Sequence, residues 1–187
     1  MNLLLLGPPG AGKGTQGAIL ARRLGIPKFA TGDLIRDAIA RQTPLGQKAK
    51  AVYDSGGLVA DDLIMGIVRE ELTKPEAARG VIFDGVVRTI PQAEGVDRLL
   101  AGLGRRMDRV LFFDVPDQEI LARIEKRRAI EGRSDDDPVA VERRLKAYRE
   151  QTAPVLAWYQ ERLGVTRIPA TGTVDEIAAR VTQALGS

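Results

Sequence analysis

Short apolar runs and helical patterns alternate along the chain. The apolar runs predict buried strands at residues 3–6, 28–30, 81–83, 110–115 and 165–168. The helical spacing of apolar residues predicts helices at residues 12–24, 33–40, 45–53, 61–72, 91–103, 117–127, 138–163 and 174–185. Strands separated by helices are joined by crossover connections. The pattern therefore predicts an α/β fold, with a parallel five-stranded sheet that carries helices on both faces.

Two segments interrupt this alternation. Residues 31–59 carry two helical patterns with no strand between them, and residues 129–137 are short, charged and non-periodic. Charged segments inserted into an α/β core are candidates for moving parts. An ordinary solvated loop is the alternative interpretation of the second segment.

A glycine-rich run follows the first predicted strand directly. Residues 7–15 read Gly-Pro-Pro-Gly-Ala-Gly-Lys-Gly-Thr, and a helical pattern follows. Strand, glycine loop and helix in this order are typical of a phosphate-binding loop, whose N–H groups and helix N-terminus attract an anion. Lys13 would reach the outer phosphates of a nucleotide. Gly14 stands where Ser or Thr usually follows the lysine, and this favours a small phosphotransferase over a GTPase or a motor-type ATPase.

Further charged residues fall near the carboxyl ends of predicted strands, where ligands bind in such sheets. Asp84 ends an apolar strand and could hold the water ligands of Mg²⁺, or it could be a simple turn residue. Arg36 lies one turn inside a helix that Thr31 or Asp33 could cap, so it could hold a second phosphate. Arg88 adds another cation just beyond Asp84.

Several arginines are spaced along the second half of the chain. Arg123 and Arg127 share one helical face, Arg133 lies in the charged segment, and Arg144 and Arg149 lie on the next helix. Arginines are most often surface salt-bridge partners. Phosphoryl transfer between two nucleotides would use them more specifically, because negative charge must then be neutralised from several directions.

Composition narrows the chemistry. The chain has 187 residues, enough for one domain, and it contains no Cys and no His. Structural zinc, disulfides, thiol chemistry and histidine bases are therefore excluded. The net charge of +3 and the 4% aromatic content favour acidic small molecules over nucleic acid as partners. No run reaches transmembrane length, so the sequence predicts a cytoplasmic protein without a membrane partner.

Taken together, the motifs resemble the adenylate kinase family in its short-lid form. The matching positions are residues 7–16, 31–33, 57–59, 83–85, 113–116, 132–136 and 148–154, with Arg36, Arg88, Thr89, Gln92, Ala93, Arg127, Arg144 and Leu145. The resemblance implies a P-loop NTPase-type fold and the reaction ATP + AMP ⇌ 2 ADP with Mg²⁺ and without zinc. It also implies a monomer whose partners are ATP, AMP and ADP.

The resemblance also implies roles for individual residues. The ATP site would comprise Gly10, Ala11, Gly12, Lys13, Gly14, Thr15, Arg123, Arg127 and Gly172. The AMP site would comprise Thr31, Arg36, Gly57, Leu58, Val59, Gly85, Val86, Val87, Arg88, Gln92, Arg133 and Arg144. The transferring phosphoryl group would be surrounded by Lys13, Arg88, Arg127, Arg133 and Arg144, and Asp84 would bind Mg²⁺ through water.

The same resemblance implies a division of the single domain. The core would span residues 1–29, 60–127 and 137–187. A helical insertion that binds the nucleoside monophosphate would span residues 30–59, and a short lid would span residues 128–136.

One departure from the family is expected to affect AMP. Val86 and Val87 stand where the family normally has Phe-Pro with the proline bond in cis, and a cis bond before a non-proline residue costs about 3–4 kcal/mol. A trans bond is therefore expected, with Arg88 displaced and AMP binding weakened. A UMP/CMP kinase and a weakly active nucleotide-binding module are the alternatives. Gln92 suits adenine, and Asn2 is the only asparagine available to recognise a pyrimidine.

Overall fold

Five parallel strands form one sheet in the order β2-β3-β1-β4-β5. They are β1 (Asn2–Leu6), β2 (Lys28–Ala30), β3 (Val81–Asp84), β4 (Arg109–Asp114) and β5 (Thr166–Pro169). The computed structural model describes residues 1–54, 59–131 and 138–186. All five predicted strands are present, each within one or two residues of its predicted bounds.

Nine α-helices surround the sheet within the described ranges. They are α1 (Lys13–Leu24), α2 (Thr31–Ala40), α3 (Pro44–Asp54), α4 (Asp61–Leu72), α5 (Ile90–Gly102), α6 (Asp117–Glu131), α7 (Pro138–Ala147), α8 (Ala153–Arg162) and α9 (Val174–Ala184). A short 3₁₀ helix, Pro75–Ala77, precedes β3. Among all the described residues, no helix is both long enough and apolar enough to span a membrane.

The alternation of side chains along the strands divides the core in two. Leu4, Phe83 and Phe112 point to the first core, which also receives α2, α3, α4, α5 and α8. Leu3, Leu5 and Ile82 point to the second core, which also receives α1, α6, α7 and α9. Because successive strand residues face opposite sides, both faces of the sheet are covered, and the predicted α/β architecture is confirmed.

The long helix predicted at residues 138–163 is wrong as a single element. It forms α7, a π-helical turn at Tyr148–Thr152, and α8. Pro154 lies in the first turn of α8, where it has no N–H to donate and its ring would clash with a carbonyl one turn earlier. The wider turn just before Pro154 accommodates this break.

The helix predicted to end at residue 127 is longer in the structure. α6 continues to Glu131, so the first residues of the predicted charged loop are helical. The helix therefore extends into residues 128–136, the predicted lid. The remainder of that segment, residues 132–136, lies outside the described ranges.

Candidate active site

The loop between β1 and α1 has glycines where a side chain would not fit. Gly7, Gly10 and Gly12 have φ angles of 144°, 83° and 87°, which L side chains rarely adopt. A Cβ atom on Gly7 would lie 2.9 Å from the carbonyl oxygen of Phe113 in β4. A Cβ atom on Gly10 would lie 3.0 Å from the side chain of Ile124 in α6. The loop backbone is therefore held closely against β4 and α6, at the carboxyl edge of the sheet.

Lys13 begins α1, and its side chain folds back over the loop. Its Nζ atom donates hydrogen bonds to the carbonyl oxygens of Gly7 at 2.7 Å and Pro8 at 2.9 Å. The ammonium group thus lies beside the N-terminus of α1, whose first N–H groups are not used by the helix itself. A phosphate group at this loop would meet the helix N-terminus and the lysine together.

The pKa of Lys13 reflects the charges that surround it. Its pKa is lowered from 10.5 to about 8, chiefly because the ammonium group is withdrawn from water. The carboxylate of Asp84 partly offsets this shift, and three arginines add to it: Arg88, Arg144 and Arg127. The end of β3, the loop after it, α6 and α7 therefore all place charge around one lysine.

Asp84 is the carboxylate of this basic cluster. It ends β3, its side chain is 12% exposed, and one oxygen lies 3.4 Å from the Nζ atom of Lys28. A Cβ atom on Gly14 would lie 3.6 Å from the same oxygen. Asp84 therefore borders the phosphate-binding loop directly. Thr15, the nearest hydroxyl after Lys13, is exposed.

The carbonyl oxygen of Gly85 joins the start of α2 to the loop after β3, beside Asp84. It accepts a hydrogen bond from Thr31 Oγ1 at 3.0 Å and another from Arg88 Nε at 3.0 Å. Thr31 begins α2, whereas Arg88 lies in the loop that leads to α5. Arg36, one turn further along α2, is exposed and forms an ion pair with Asp33.

Gln92 is buried in the first turn of α5, and both ends of its amide group are bonded. Its Oε1 atom accepts from the backbone N–H of Arg88 at 2.7 Å. Its Nε2 atom donates to Asp61 Oδ1 in α4 at 2.6 Å. Its own backbone N–H donates to Thr89 Oγ1, which caps the helix. These bonds fix Gln92 between α4 and the loop that carries Arg88.

Val86 and Val87 are core residues in this structure. Their exposed fractions are 1% and 2%, and both belong to the first core, together with Leu34 and Ile35 of α2. All peptide bonds of the described residues are trans, as the sequence predicts for this pair. Val59 is half-buried against the same core.

Arg123 and the loop after β5 also lie near the phosphate-binding loop, and a Cβ atom on Gly12 would lie 4.0 Å from Arg123 Nη1. Arg123 Nη2 donates to the carbonyl oxygen of Ala170 at 2.7 Å, and its Nε donates to Glu119 at 3.0 Å. Gly172 follows with a φ angle of 101°, and it is exposed. Thr173 then starts α9 with a capping box formed with Glu176.

The structure thus gathers most of the predicted site residues at one edge of the sheet. Gly57, Leu58 and Arg133 lie outside the described residues, and their roles stay predictions. Two residues were missed from the sequence: Lys28, which pairs with Asp84, and Asp61, which bonds Gln92. A carboxylate in the first turn of a helix has an ordinary electrostatic explanation, so no pattern in the sequence marked Asp61.

Comparison with known proteins agrees with this geometry. The family model for adenylate kinase matches residues 5–163, which include the phosphate-binding loop, Asp84 and Arg144. The chain belongs to the adenylate kinase family. It is similar to the adenylate kinase of Thermus thermophilus, with 48% identity over 98% of this chain and 96% of that protein. The adenylate kinase of Gemmatimonas aurantiaca is 46% identical over 99% of both chains.

The family match identifies the activity of the chain. A third relative, the adenylate kinase of Stenotrophomonas maltophilia, is 45% identical over 99% of each chain. The chain is an enzyme of this family and catalyses the reversible transfer of a phosphoryl group from ATP to AMP, which yields two ADP. A kinase for pyrimidine nucleotides finds no support among these relatives.

Proposed function

We propose that the charges gathered around Lys13 perform this transfer. The observation that supports the proposal is that Arg88, Arg127 and Arg144, from three different elements, all lower the pKa of the same lysine. So much positive charge around one half-buried group is unfavourable in the free protein. It becomes favourable when the phosphates of two nucleotides occupy the space between these side chains.

On the ATP side, the loop residues Gly10, Ala11, Gly12, Lys13, Gly14 and Thr15 would hold the phosphates. Their backbone lies at the N-terminus of α1, and Lys13 supplies a movable cation. The hydrogen bond from Arg123 to Ala170 fixes the chain next to Gly172. We infer that the backbone near Gly172 contacts the adenine ring, and that Arg123 and Arg127 flank the ATP phosphates.

On the AMP side, Thr31, Gly85, Arg88 and Gln92 form one hydrogen-bonded group. We infer that Arg36 and Arg88 bind the phosphate of AMP and that Gln92 meets its base. The remaining AMP contacts would be made by Gly57, Leu58, Val59, Val86 and Val87. In the described structure the two valines face the core, so their contact with AMP would be indirect.

The family generally uses ATP together with Mg²⁺, and the residues present fit that ion. The described residues hold no cluster of three or more metal-binding side chains, whereas Mg²⁺ on a nucleotide typically needs only one or two carboxylates besides phosphate oxygens and water. Asp84, beside the loop, would supply the carboxylate, through water. When bound, the ion neutralises charge on the phosphates.

During transfer, this chain's own residues would position the two nucleotides and neutralise charge. Lys13, Arg88, Arg127 and Arg144, with Arg133 from the segment outside the described residues, would surround the transferring phosphoryl group. Water competes with AMP as the acceptor, so the site must exclude it. We infer that residues 30–59 and 128–136 close over the nucleotides, around a core of residues 1–29, 60–127 and 137–187, in a cytoplasmic monomer.

Replacing Lys13 tests this assignment. Lys13→Met should lower turnover by a factor on the order of 1,000, because the removed charge acts on the transferring phosphates. Lys48→Met removes an exposed lysine from α3 and serves as the matched control, with unchanged turnover expected. Thermal unfolding of both variants checks the fold. A folded Lys13→Met enzyme with near-normal turnover would contradict the role proposed for Lys13.

A further inference from the structure

We propose that Asp61 is a positioning residue that makes the enzyme select adenine over other purines, by fixing which way the amide of Gln92 faces. This inference rests on the proposed role of Gln92 at the base of AMP. Asp61 itself need not touch the nucleotide. It lies in the first turn of α4 and reaches across to α5, where its Oδ1 atom is 2.6 Å from Gln92 Nε2.

The orientation of this amide follows from its two partners. The backbone N–H of Arg88 can only donate a hydrogen bond, so the atom 2.7 Å away must be the amide oxygen. An ionised carboxylate can only accept, so the atom next to Asp61 must be the amide nitrogen. Turning the amide over would place two donors together at Arg88 and two acceptors together at Asp61. Because Gln92 is buried whereas Asp61 is exposed, the cost of the turned amide falls chiefly on the amide atoms of Gln92, which would be left unpaired.

The fixed amide has a polarity that matches one kind of base. Its oxygen can still accept a second hydrogen bond, and its nitrogen carries a second hydrogen. Adenine offers a donor, the 6-amino group, beside the acceptor N1, and the oxygen and nitrogen of a glutamine amide can pair with these two groups. Hypoxanthine and guanine offer the reverse, a carbonyl oxygen at C6 beside an N–H at N1. A turned amide would match them instead.

Arg88 links the proposed phosphate site to the amide of Gln92. Arg88 both donates its backbone N–H to Gln92 and bonds Gly85 through its side chain. The proposed phosphate site and the amide are therefore fixed to the same short loop. Rotation about the glycosidic bond does not help hypoxanthine, because its C6 oxygen accepts a hydrogen bond in either orientation of the base, so the direction of the amide decides which purine is accepted.

The experiment compares AMP with IMP as acceptor, since the two differ in the hydrogen-bonding pattern at this edge. For each, kcat and KM are measured at saturating MgATP. Asp61→Ala should raise the KM for AMP about tenfold with little change in kcat, since a hydrogen bond to a charged group is lost. The preference for AMP over IMP, taken as the ratio of kcat/KM values, should fall by about the same factor.

Two further variants separate orientation from simple loss of charge. Asp62→Ala removes the neighbouring carboxylate from the same helical turn, which is exposed like Asp61 and accepts from the Leu63 N–H. It should leave both the KM for AMP and the AMP preference unchanged. Asp61→Asn keeps an acceptor oxygen and should restore most of the preference. Thermal unfolding verifies that each variant folds. Calorimetric titration with AMP alone, in which no turnover occurs, should show that Asp61→Ala loses AMP affinity by the same factor as its KM for AMP rises.

Gln92→Ala distinguishes failure of this inference from failure of the proposed base site. If Gln92→Ala raises the KM for AMP but Asp61→Ala leaves the AMP preference unchanged, Asp61 does not orient the amide and the inference is wrong. If Gln92→Ala also leaves the KM for AMP unchanged, the base does not bind at Gln92, and the assignment on which the inference rests is wrong as well.

Discussion

In the phosphate-binding loop the backbone itself is fixed, because Gly7 and Gly10 approach β4 and α6 too closely for any side chain. Around Arg88 the loop is fixed by side chains instead: Thr31 and Arg88 both bond Gly85, and Gln92 bonds the backbone of Arg88. The proposed ATP side of the site therefore depends on the absence of side-chain atoms. The proposed AMP side depends on the presence of particular polar groups.

The difference matters for how each side can change. A tightly packed backbone loop tolerates almost no added volume, since neighbouring strands and helices would have to move. A loop held by side-chain hydrogen bonds can be altered one bond at a time, and each lost bond lowers the free energy of unfolding only moderately. The proposed AMP side should consequently be the part of the site where specificity can be adjusted, and the bond between Asp61 and Gln92 is the place where we expect this.

Adding one methyl group to the loop gives the largest expected effect. In Gly10→Ala the alanine must adopt a φ of 83°, and its Cβ lies 3.0 Å from Ile124. The substitution should therefore lower the free energy of unfolding by about 1–3 kcal/mol. It should also greatly weaken ATP binding. Gly102→Ala, at the end of α5 with nothing within 4 Å of its Cβ, is the control and should be neutral or slightly stabilising. Urea unfolding and calorimetry measure both quantities.

A Gly10→Ala protein that is as stable as Gly102→Ala and has unchanged ATP affinity would contradict this difference between the two loops. It would show that the loop can yield to added volume and is not fixed by close packing.

The pH dependence of binding should also differ between the two sides. In the free enzyme the pKa of Lys13 is lowered to about 8, and bound phosphates should raise it, because they favour the ammonium form. MgATP affinity should therefore be highest well below pH 8, where Lys13 is protonated in the free enzyme. As the pH rises through 8, Lys13 of the free enzyme loses its proton. Binding of MgATP then requires uptake of a proton by Lys13, so the affinity falls by up to about tenfold per pH unit. AMP affinity, for which we propose arginines as the phosphate-binding groups, should stay level from pH 7 to 9.

Calorimetric titrations of each nucleotide across this range test the contrast. Lys13→Arg provides the control, because its guanidinium stays charged throughout. If MgATP affinity fell equally in Lys13→Arg, or if AMP affinity fell in parallel, Lys13 would not be the group that titrates.

The smallest expected effect concerns the departure at residues 86–87. From the sequence alone, restoring the family residues with Val86→Phe and Val87→Pro should lower the KM for AMP. The burial of both valines favours the opposite result: an added ring should overpack the core, lower stability by about 1–3 kcal/mol, and raise the KM for AMP modestly. The KM for ATP should not change.

Steady-state kinetics and thermal unfolding of the double variant decide between these outcomes. A lower KM for AMP at unchanged stability would show that the first core has room for the ring and that the expectation from the sequence is correct.

Much of this fold could be predicted from local patterns. The five strands and the start of α1 follow from short apolar runs and from the glycine loop, features whose physical cause lies within a few residues. The π-helical turn at Tyr148–Thr152 was missed, because periodicity continues across Pro154 and only the geometry of the helix around that proline requires a wider turn. The end of α6 was also missed, since charged residues such as Arg128 fit a helix as well as a loop.

By itself, the sequence determined the fold class, the phosphate-binding loop and the family, because these depend on residue types in a fixed order along the chain. Only the tertiary structure decided which charges surround Lys13, that Lys28 pairs with Asp84, and that Asp61 holds Gln92. These pairs join residues far apart in the chain. Their contact depends on how strands order in the sheet and how helices pack over it, and the spacing of residues along a sequence does not contain that information.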